Sequence, residues 1–133
     1  MRDSMSQFAD LLSQLAEVLR PFVSSHRAGD RVWDGQTYAP AVQSREADSV
    51  ATAWWATATT AAALIAGAQH LSPQQHDYFK RTLFGGMGSL NDFSLDTIRW
   101  GSEAKAANCQ LETIRTALYS CFQTLTPRGH QET

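Results

Sequence analysis

The sequence predicts an all-α fold, a single-domain bundle of about four helices with a glycine-rich elbow before the last helix. Apolar residues recur at the three- and four-residue spacings of one helical face near both ends of the chain. A strong helix-start signal lies between them, and no stretch of useful length alternates as a strand does. A chain of 133 residues suggests one domain, over residues 1–125, followed by a polar tail over residues 126–133.

The first helix is predicted from about Ser4 to Pro21, where the proline should end it. Its apolar face consists of Phe8, Leu11, Leu12, Leu15, Val18 and Leu19. Residues 22–43 have no helical period, and a loop of about twenty residues is long for a compact domain. Loops of this length are usually functional or disordered, and the tryptophan and tyrosine in this one argue against plain disorder.

The second helix is predicted from about Ser44 to Gly67. No Asp, Glu, Lys or Arg occurs from residue 49 to residue 76, a run of 28 residues. A membrane span is nevertheless not expected, because alanine and threonine supply little of the transfer free energy that leucine provides. We expect instead a central helix that its neighbours cover on all sides. Trp54 and Trp55 should point about 100° apart, towards different neighbours.

The third helix has the clearest local signal, the sequence SPQQ. Ser72 stands at the N-cap, Pro73 at the first helical position and Gln75 at the third, which is a capping box with the favoured proline. This helix is predicted to end at Phe84. Gly85 is then expected in the left-handed conformation that often follows a helix.

The last helix is predicted from about Ser102 to Leu125. Its apolar stripe is Ala104, Ala107, Leu111, Ile114, Leu118, Cys121 and Leu125. Cys109 and Cys121 would lie roughly 18 Å apart along it, too far for a disulfide. We expect both to be free thiols of the core, which fits a reducing compartment, and no signal peptide is recognisable. A cytoplasmic location follows as an expectation.

The elbow is the sequence FGGMGSLND, from Phe84 to Asp92. A phosphate-binding loop follows a strand and opens a helix, whereas these glycines follow a helix and no Lys-Ser or Lys-Thr comes after them. We interpret the elbow as a structural corner. The glycines Gly85, Gly86 and Gly88 allow positive φ or close approach, and Asn91 and Asp92 are expected to cap nearby amides. Met87, Leu90, Phe93 and Leu95 are expected to turn inward.

Charge and residue clustering exclude several functions. The net charge is −2, and the acidic surplus lies in the first 50 residues, so nucleic-acid binding has no basic surface to support it. The four histidines do not show the spacing of metal ligands, and no cofactor is expected. The carboxylate pairs of the chain lie in loops. No coherent catalytic constellation is present, and we do not expect an enzyme.

The long loop contains the residue types that dominate protein interfaces, namely Trp, Tyr and Arg. The expected partner-binding residues are Arg31, Trp33, Asp34, Tyr38, Glu46 and Asp48. The acidic members among them could face a basic cleft of a partner protein and speed the encounter with it. An equally open alternative is that Trp33 folds back as a lid on the core.

The elbow is followed in the last helix by the pattern N-x-x-L-x-x-x-R-x-x-L-Y, formed by Asn108, Leu111, Arg115, Leu118 and Tyr119. Together the two patterns resemble a family of small bacterial helical domains of unknown function, associated with the immunity proteins of bacterial toxins. The resemblance covers roughly residues 75–125 and supplies no catalytic residues. It implies a cytoplasmic immunity protein that binds a cognate toxin and occludes its active site.

Two other classes of function remain open at this point. The chain could be an enzyme or a small-molecule-binding domain with a pocket between Trp54, Trp55 and the elbow. It could also be a structural homodimer in which the apolar second helix packs against its copy.

Overall fold

The computed structural model describes residues 3–23 and 47–125, together with the backbone of two short strands at 31–33 and 38–40. The elements are α1 (Ser4–Val23), β1 (Arg31–Trp33), β2 (Tyr38–Pro40), α2 (Ser49–Ile65), α3 (Pro73–Phe84), a 3₁₀ turn (Leu90–Asp92), α4 (Thr97–Trp100) and α5 (Ser102–Gln123). Four of these helices are long, and the predicted all-α bundle is confirmed.

The strand pair is the element that the sequence did not predict. β1 and β2 are antiparallel, with Trp33 opposite Tyr38 and Arg31 opposite Pro40. Each strand has only three residues. That is shorter than the stretch over which an alternation of apolar and polar residues is readable.

Helix boundaries differ from the prediction where single residues act as caps or breaks. α1 continues past Pro21 to Val23. Proline removes one backbone hydrogen bond and its ring crowds the carbonyl four residues earlier, and the helix ends only two residues after it. α2 begins at Ser49 rather than Ser44, because Asp48 is its N-cap and accepts a hydrogen bond from the Ala51 amide at 2.9 Å. The capping box predicted for α3 is present.

The segment between the elbow and the last helix contains a further short helix that the sequence did not predict. The Asp96 carboxylate caps α4 by accepting hydrogen bonds from the amides of Ile98 and Arg99 at 2.9 and 3.3 Å. Gly101 then takes a φ of +67° and redirects the chain into α5, which ends at Gln123, two residues before the predicted Leu125.

The core joins α1, α3 and α5 through an aromatic cluster. Phe8 of α1 is fully buried and packs edge-on against Phe79 of α3, with ring centroids 5.3 Å apart. Its ring also lies 5.9 Å from that of Phe122 in α5. The predicted apolar face of α1 is buried or partly buried, and every residue of the predicted stripe in the last helix is buried.

α2 packs on α1 through the buried face Ala51, Trp54, Ala58, Ala61, Ala62 and Ile65. Its opposite face, including Ala53 and Thr59, is exposed among the described residues. The expectation that neighbours cover α2 on all sides is therefore wrong for this part of the chain. Its alanines and threonines are short enough to pack closely against α1 on one side of the helix. On the other side they are too weakly apolar to require burial.

Trp54 and Trp55 of α2 face different neighbours, as predicted. Trp54 is buried, whereas Trp55 is half-buried beneath the Arg20 guanidinium, whose central carbon lies 5.6 Å from the ring centroid. In the described part of the chain, no helix combines the length and the hydropathy that a bilayer crossing requires.

We expect a Phe8→Ala substitution to lower the free energy of unfolding by about 3–5 kcal/mol, because it empties the point where three helices meet. Urea unfolding followed by circular dichroism measures the change. The control is Ile98→Ala, at a side chain that is 96% exposed, which should stay within about 0.5 kcal/mol of the wild type. Equal effects of the two substitutions would contradict this account of the core.

Candidate functional site

The elbow begins where α3 ends. Gly85 keeps a right-handed conformation, with a φ of −82°, and donates a hydrogen bond to the Arg81 carbonyl at 3.1 Å. The predicted left-handed conformation of Gly85 is therefore wrong, because the helix continues one residue further. Gly86 and Gly88 have φ angles of +109° and +81°, as the glycine pattern predicted for these two. Gly85 is needed for space instead, since a Cβ there would overlap the Arg81 carbonyl oxygen.

Two side chains inside the elbow cap its amides. The Ser89 hydroxyl accepts a hydrogen bond from the Gly86 amide at 3.2 Å, and the Ser89 amide donates to the Gly86 carbonyl at 2.9 Å. The Asp92 carboxylate accepts from the Gly88 amide at 3.2 Å, which confirms the capping role predicted for it. Asn91 is exposed. Ser89 is buried with its polar group satisfied, and the sequence reasoning missed it.

Apolar side chains hold the elbow on the bundle. Leu90, Phe93 and Leu95 are buried, as predicted. Met87 is 98% exposed, so the prediction that it turns inward is wrong. It stands at the tip of the turn, between glycines 86 and 88, where the chain reverses away from the core.

Arg115 of α5 hydrogen-bonds the backbone of the elbow and of Phe93, the residue that follows it. Its guanidinium donates hydrogen bonds to the backbone carbonyls of Leu90, at 3.2 Å, and of Phe93. A third hydrogen bond, 2.8 Å long, goes to the Glu112 carboxylate. Only 11% of the Arg115 side chain is exposed. Because a guanidinium presents several donors in a rigid plane, one residue can fix two carbonyls of an irregular segment.

Asn108, two turns earlier on α5, fixes the segment after the elbow. Its side-chain oxygen accepts a hydrogen bond from the Leu95 amide at 2.8 Å, and its nitrogen donates to the Leu95 carbonyl at 3.1 Å. The side-chain amide thereby satisfies both backbone groups of one residue. We call Asn108 and Arg115 together the clamp.

The sequence pattern of the last helix thus describes one structural joint. Its two polar residues form the clamp, and Leu111 and Leu118 are fully buried core residues. Tyr119 packs edge-on against Phe84, the first residue of the elbow, with ring centroids 5.3 Å apart. Residues of the helix pattern thus contact the elbow and the segment that follows it.

The base of the long loop lies beside α4. The Asp48 amide donates a hydrogen bond to the Phe22 carbonyl at 2.8 Å, so the chain leaves α1 and enters α2 at adjacent points. Trp100 of α4 packs edge-on against Phe22, with ring centroids 5.1 Å apart. The Arg99 guanidinium lies 3.9 Å from the Asp48 carboxylate. The loop base, α4 and the start of α2 therefore form one surface.

The elbow borders that surface across a cleft of about 440 Å³. Three carboxylates line the cleft, those of Asp48, Asp92 and Asp96, and Trp54 and Phe93 contribute apolar surface. Met87 directly precedes Gly88 of the cleft lining, and Ile98 follows Asp96 by two residues. The exposed fraction is 98% for Met87 and 96% for Ile98. We call this surface the elbow end and define it by Asp48, Met87, Asp92, Asp96 and Ile98.

The structure describes only some of the predicted partner-binding residues. Arg31, Trp33 and Tyr38 lie on the strand pair, for which the structure describes the backbone. Asp34 and Glu46 lie outside the described residues. Asp48 belongs to the elbow end, but its side chain is only 14% exposed and caps α2. The partner-binding role of these residues stays a prediction.

The two cysteines differ in environment. Cys121 is buried, its thiol donates a hydrogen bond to the Ser4 carbonyl at 3.2 Å, and burial raises the pKa of the thiol. Cys109 is exposed, so the prediction of a core thiol is wrong for it. Over residues 3–23 and 47–125, no three side chains among His, Cys, Asp and Glu gather as metal ligands would.

A pocket was predicted between Trp54, Trp55 and the elbow, and only Trp54 lies at a cleft that the elbow also lines. Trp54 lines the acidic cleft together with Gly88 and Ser89 of the elbow. Trp55 turns towards Arg20 of α1 and takes no part in the cleft.

No family model matches the chain, and searches of curated proteins and of solved structures found no significant match. The family resemblance of the elbow therefore stays a hypothesis, and the residues of the elbow end must carry the functional argument.

We expect Arg115→Met to lower the free energy of unfolding by about 1.5–3 kcal/mol, because it removes charge-assisted hydrogen bonds to buried carbonyls of the elbow. Arg81→Met is the matched control: its ion pair with Asp77 is exposed on both sides, and its loss should change stability by less than about 1 kcal/mol. Chemical denaturation of both variants measures the difference. A harmless Arg115→Met would show that the clamp does not stabilise the elbow.

Proposed function

We propose that the chain is a binding protein, and specifically an immunity protein that neutralises a cognate bacterial toxin by occluding its active site. The single observation that carries the proposal is the elbow end. It combines three carboxylates with two almost fully exposed apolar side chains on a surface held by the clamp.

Exposed methionine and isoleucine side chains suit a protein partner. Scattered apolar residues on a surface need no explanation, but Met87 and Ile98 lie within two residues in sequence of Gly88 and Asp96, which line the cleft, and keep nearly all of their area accessible. A surface fixed before binding loses little conformational entropy when the partner docks. The clamp and the caps of Ser89 and Asp92 fix this one.

The carboxylates favour a partner with a basic surface. Asp48, Asp92 and Asp96 place three carboxylates at the cleft, and the Arg99 guanidinium lies 3.9 Å from the first of them. Such complementarity raises the association rate with a positively charged cleft, such as one that holds a nucleic-acid substrate. A toxin acting on RNA or DNA is a partner of that chemistry, and blocking its cleft requires no catalysis by this chain.

The loop that carries Trp33 and Tyr38 adds to the same surface in this proposal. Its two ends meet at the Phe22–Asp48 hydrogen bond, next to the elbow end. Interface aromatic residues contribute most when they lie near the centre of a contact. The loop and the elbow end would then contact one partner together.

A second candidate is the binding of a small molecule in the cleft beside Trp54. The observation that favours it is a cavity of about 440 Å³ with aromatic and carboxylate lining. A cationic or hydroxylated metabolite would suit it. A thermal-shift screen of common metabolites distinguishes this candidate, because a ligand that binds only the folded state raises the Tm.

The proposed function predicts a toxicity rescue. The gene adjacent to this one is expressed in a laboratory bacterium, first alone and then with this protein. We expect growth arrest in the first case, growth in the second, and co-purification of the two proteins. A harmless neighbour that does not co-purify would contradict the proposal.

The contact surface predicts which substitutions abolish the rescue. Met87→Lys and Ile98→Lys place a positive charge at exposed positions of the elbow end, so they should weaken partner binding at least tenfold without changing the Tm. Trp33→Ala should also weaken it. The matched control is Leu64→Lys, which introduces the same charge on α2, away from the elbow end, at a residue that is 68% exposed. Calorimetry on the purified pair measures the affinities, and equal losses at all these positions would refute the assigned surface.

A further inference from the structure

A pocket of about 710 Å³ lies between α3 and α5, beside the first two residues of the elbow. Among the described residues, it shares no lining side chain with the acidic cleft of the elbow end. Its volume falls within the range of small-molecule sites, about 300–1,000 Å³. The proposed function leaves this pocket unused, and its lining differs in chemistry from that of the cleft.

One part of the lining is a series of aromatic rings in contact with one another. The ring of His76 on α3 stacks on Phe122 of α5, with centroids 4.5 Å apart and planes inclined by 23°. Phe84 lies 5.2 Å from Phe122 and packs edge-on against Tyr119 at 5.3 Å. All four residues line the pocket, and we call them the aromatic wall. Such a wall suits a flat ring, which can stack on it or meet it edge to face.

The other part of the lining is positively charged. Lys80 and Arg81 are adjacent on α3, and both line the pocket together with one carboxylate, that of Asp77. The ion pair of that carboxylate is with Arg81. Within residues 3–23 and 47–125, Lys80 has no ion pair. The lining therefore contains more cations than carboxylates, although the whole chain has a net charge of −2.

The ion pair with Asp77 leaves most of the Arg81 guanidinium available. A guanidinium has five N–H donors, and the hydrogen bond to Asp77, 3.0 Å long, uses the one on Nε. The donors on the two terminal nitrogens form no hydrogen bond within the described residues. Arg81 thus offers a planar fork and Lys80 a point charge, the two forms in which proteins hold a phosphate or a carboxylate.

We propose that this pocket binds a small planar anion, an aromatic ring system that carries a phosphate or a carboxylate. The ring packs on the aromatic wall, and Lys80 and Arg81 hold the anionic group. Both cations are exposed, so water screens their charge and they supply only part of the affinity. The ring must therefore contribute as well, and neither half of the ligand suffices alone. The elbow end stays accessible, so this site is independent of the proposed toxin contact.

The first test is an NMR titration of the nitrogen-15-labelled chain with two probes, 5′-AMP and indole-3-acetate, which carry a phosphate and a carboxylate. Adenosine and indole are the references without the anion, and inorganic phosphate and acetate are the references without the ring. We expect at least one probe to bind with a Kd of about 1 mM or tighter. Its two references should bind at least about fivefold more weakly. The probe that binds identifies the anionic group. Failure of both probes overturns the proposal, as does a reference that binds within that factor of its probe.

The second test locates the site. Backbone amide signals of residues 76–85 and 119–125 should shift with the probe that binds, whereas those of Asp92 and Asp96 at the elbow end should not. Lys80→Gln should weaken this binding by at least about fivefold, because it removes the cation that has no ion pair. The matched control is Lys105→Gln, the same change at an exposed lysine of α5 that does not line the pocket.

Both lysine variants should keep the wild-type Tm, since both side chains are exposed. Three outcomes contradict the proposed site: shifts at the elbow end instead of the pocket, a Lys80→Gln variant that binds as the wild type does, and equal losses of affinity in the two variants.

Discussion

The hydrogen bonds from Arg115 to the carbonyls of Leu90 and Phe93 are the constraint on which the elbow end depends. The segment between α3 and α5 contains only a 3₁₀ turn and the four-residue helix α4 as regular structure, so side chains supply part of its hydrogen bonding. The guanidinium of Arg115, which lies on the long helix α5, adds hydrogen bonds to two backbone carbonyls of this segment, which has no continuous helical or sheet hydrogen bonding. It holds the elbow on α5 together with the caps of Ser89 and Asp92.

The sequence predicted the parts of the fold that local chemistry decides. Helical spacing gave the apolar faces of α1 and α5, and the capping box gave the start of α3. The errors occur where tertiary contacts decide. Gly85 stays helical because its amide still has a carbonyl to bind, and Met87 points outward because the turn reverses at that residue. The glycine pattern alone predicts neither outcome.

The functional site was harder to predict than the fold for a related reason. Within the clamp, Arg115 bonds to Phe93, 22 positions earlier in the sequence, and to Leu90, 25 positions earlier. The acidic cleft brings Asp48 together with Asp92 and Asp96. No spacing rule connects positions that distant. The sequence resemblance did select Asn108 and Arg115, but only the fold explains why those two polar residues accompany the glycines. Both of them hydrogen-bond the backbone of the segment between α3 and α5.

The hydrogen bond between the Asp48 amide and the Phe22 carbonyl has an evolutionary consequence. Because the chain departs from the helical frame and rejoins it at neighbouring atoms, the stretch between them is attached like a cassette with both connectors side by side. Such a stretch can be lengthened, shortened or exchanged while the frame keeps its packing. Under the proposed function, the sequence of this cassette can change with the partner while the clamp and the elbow keep their contacts.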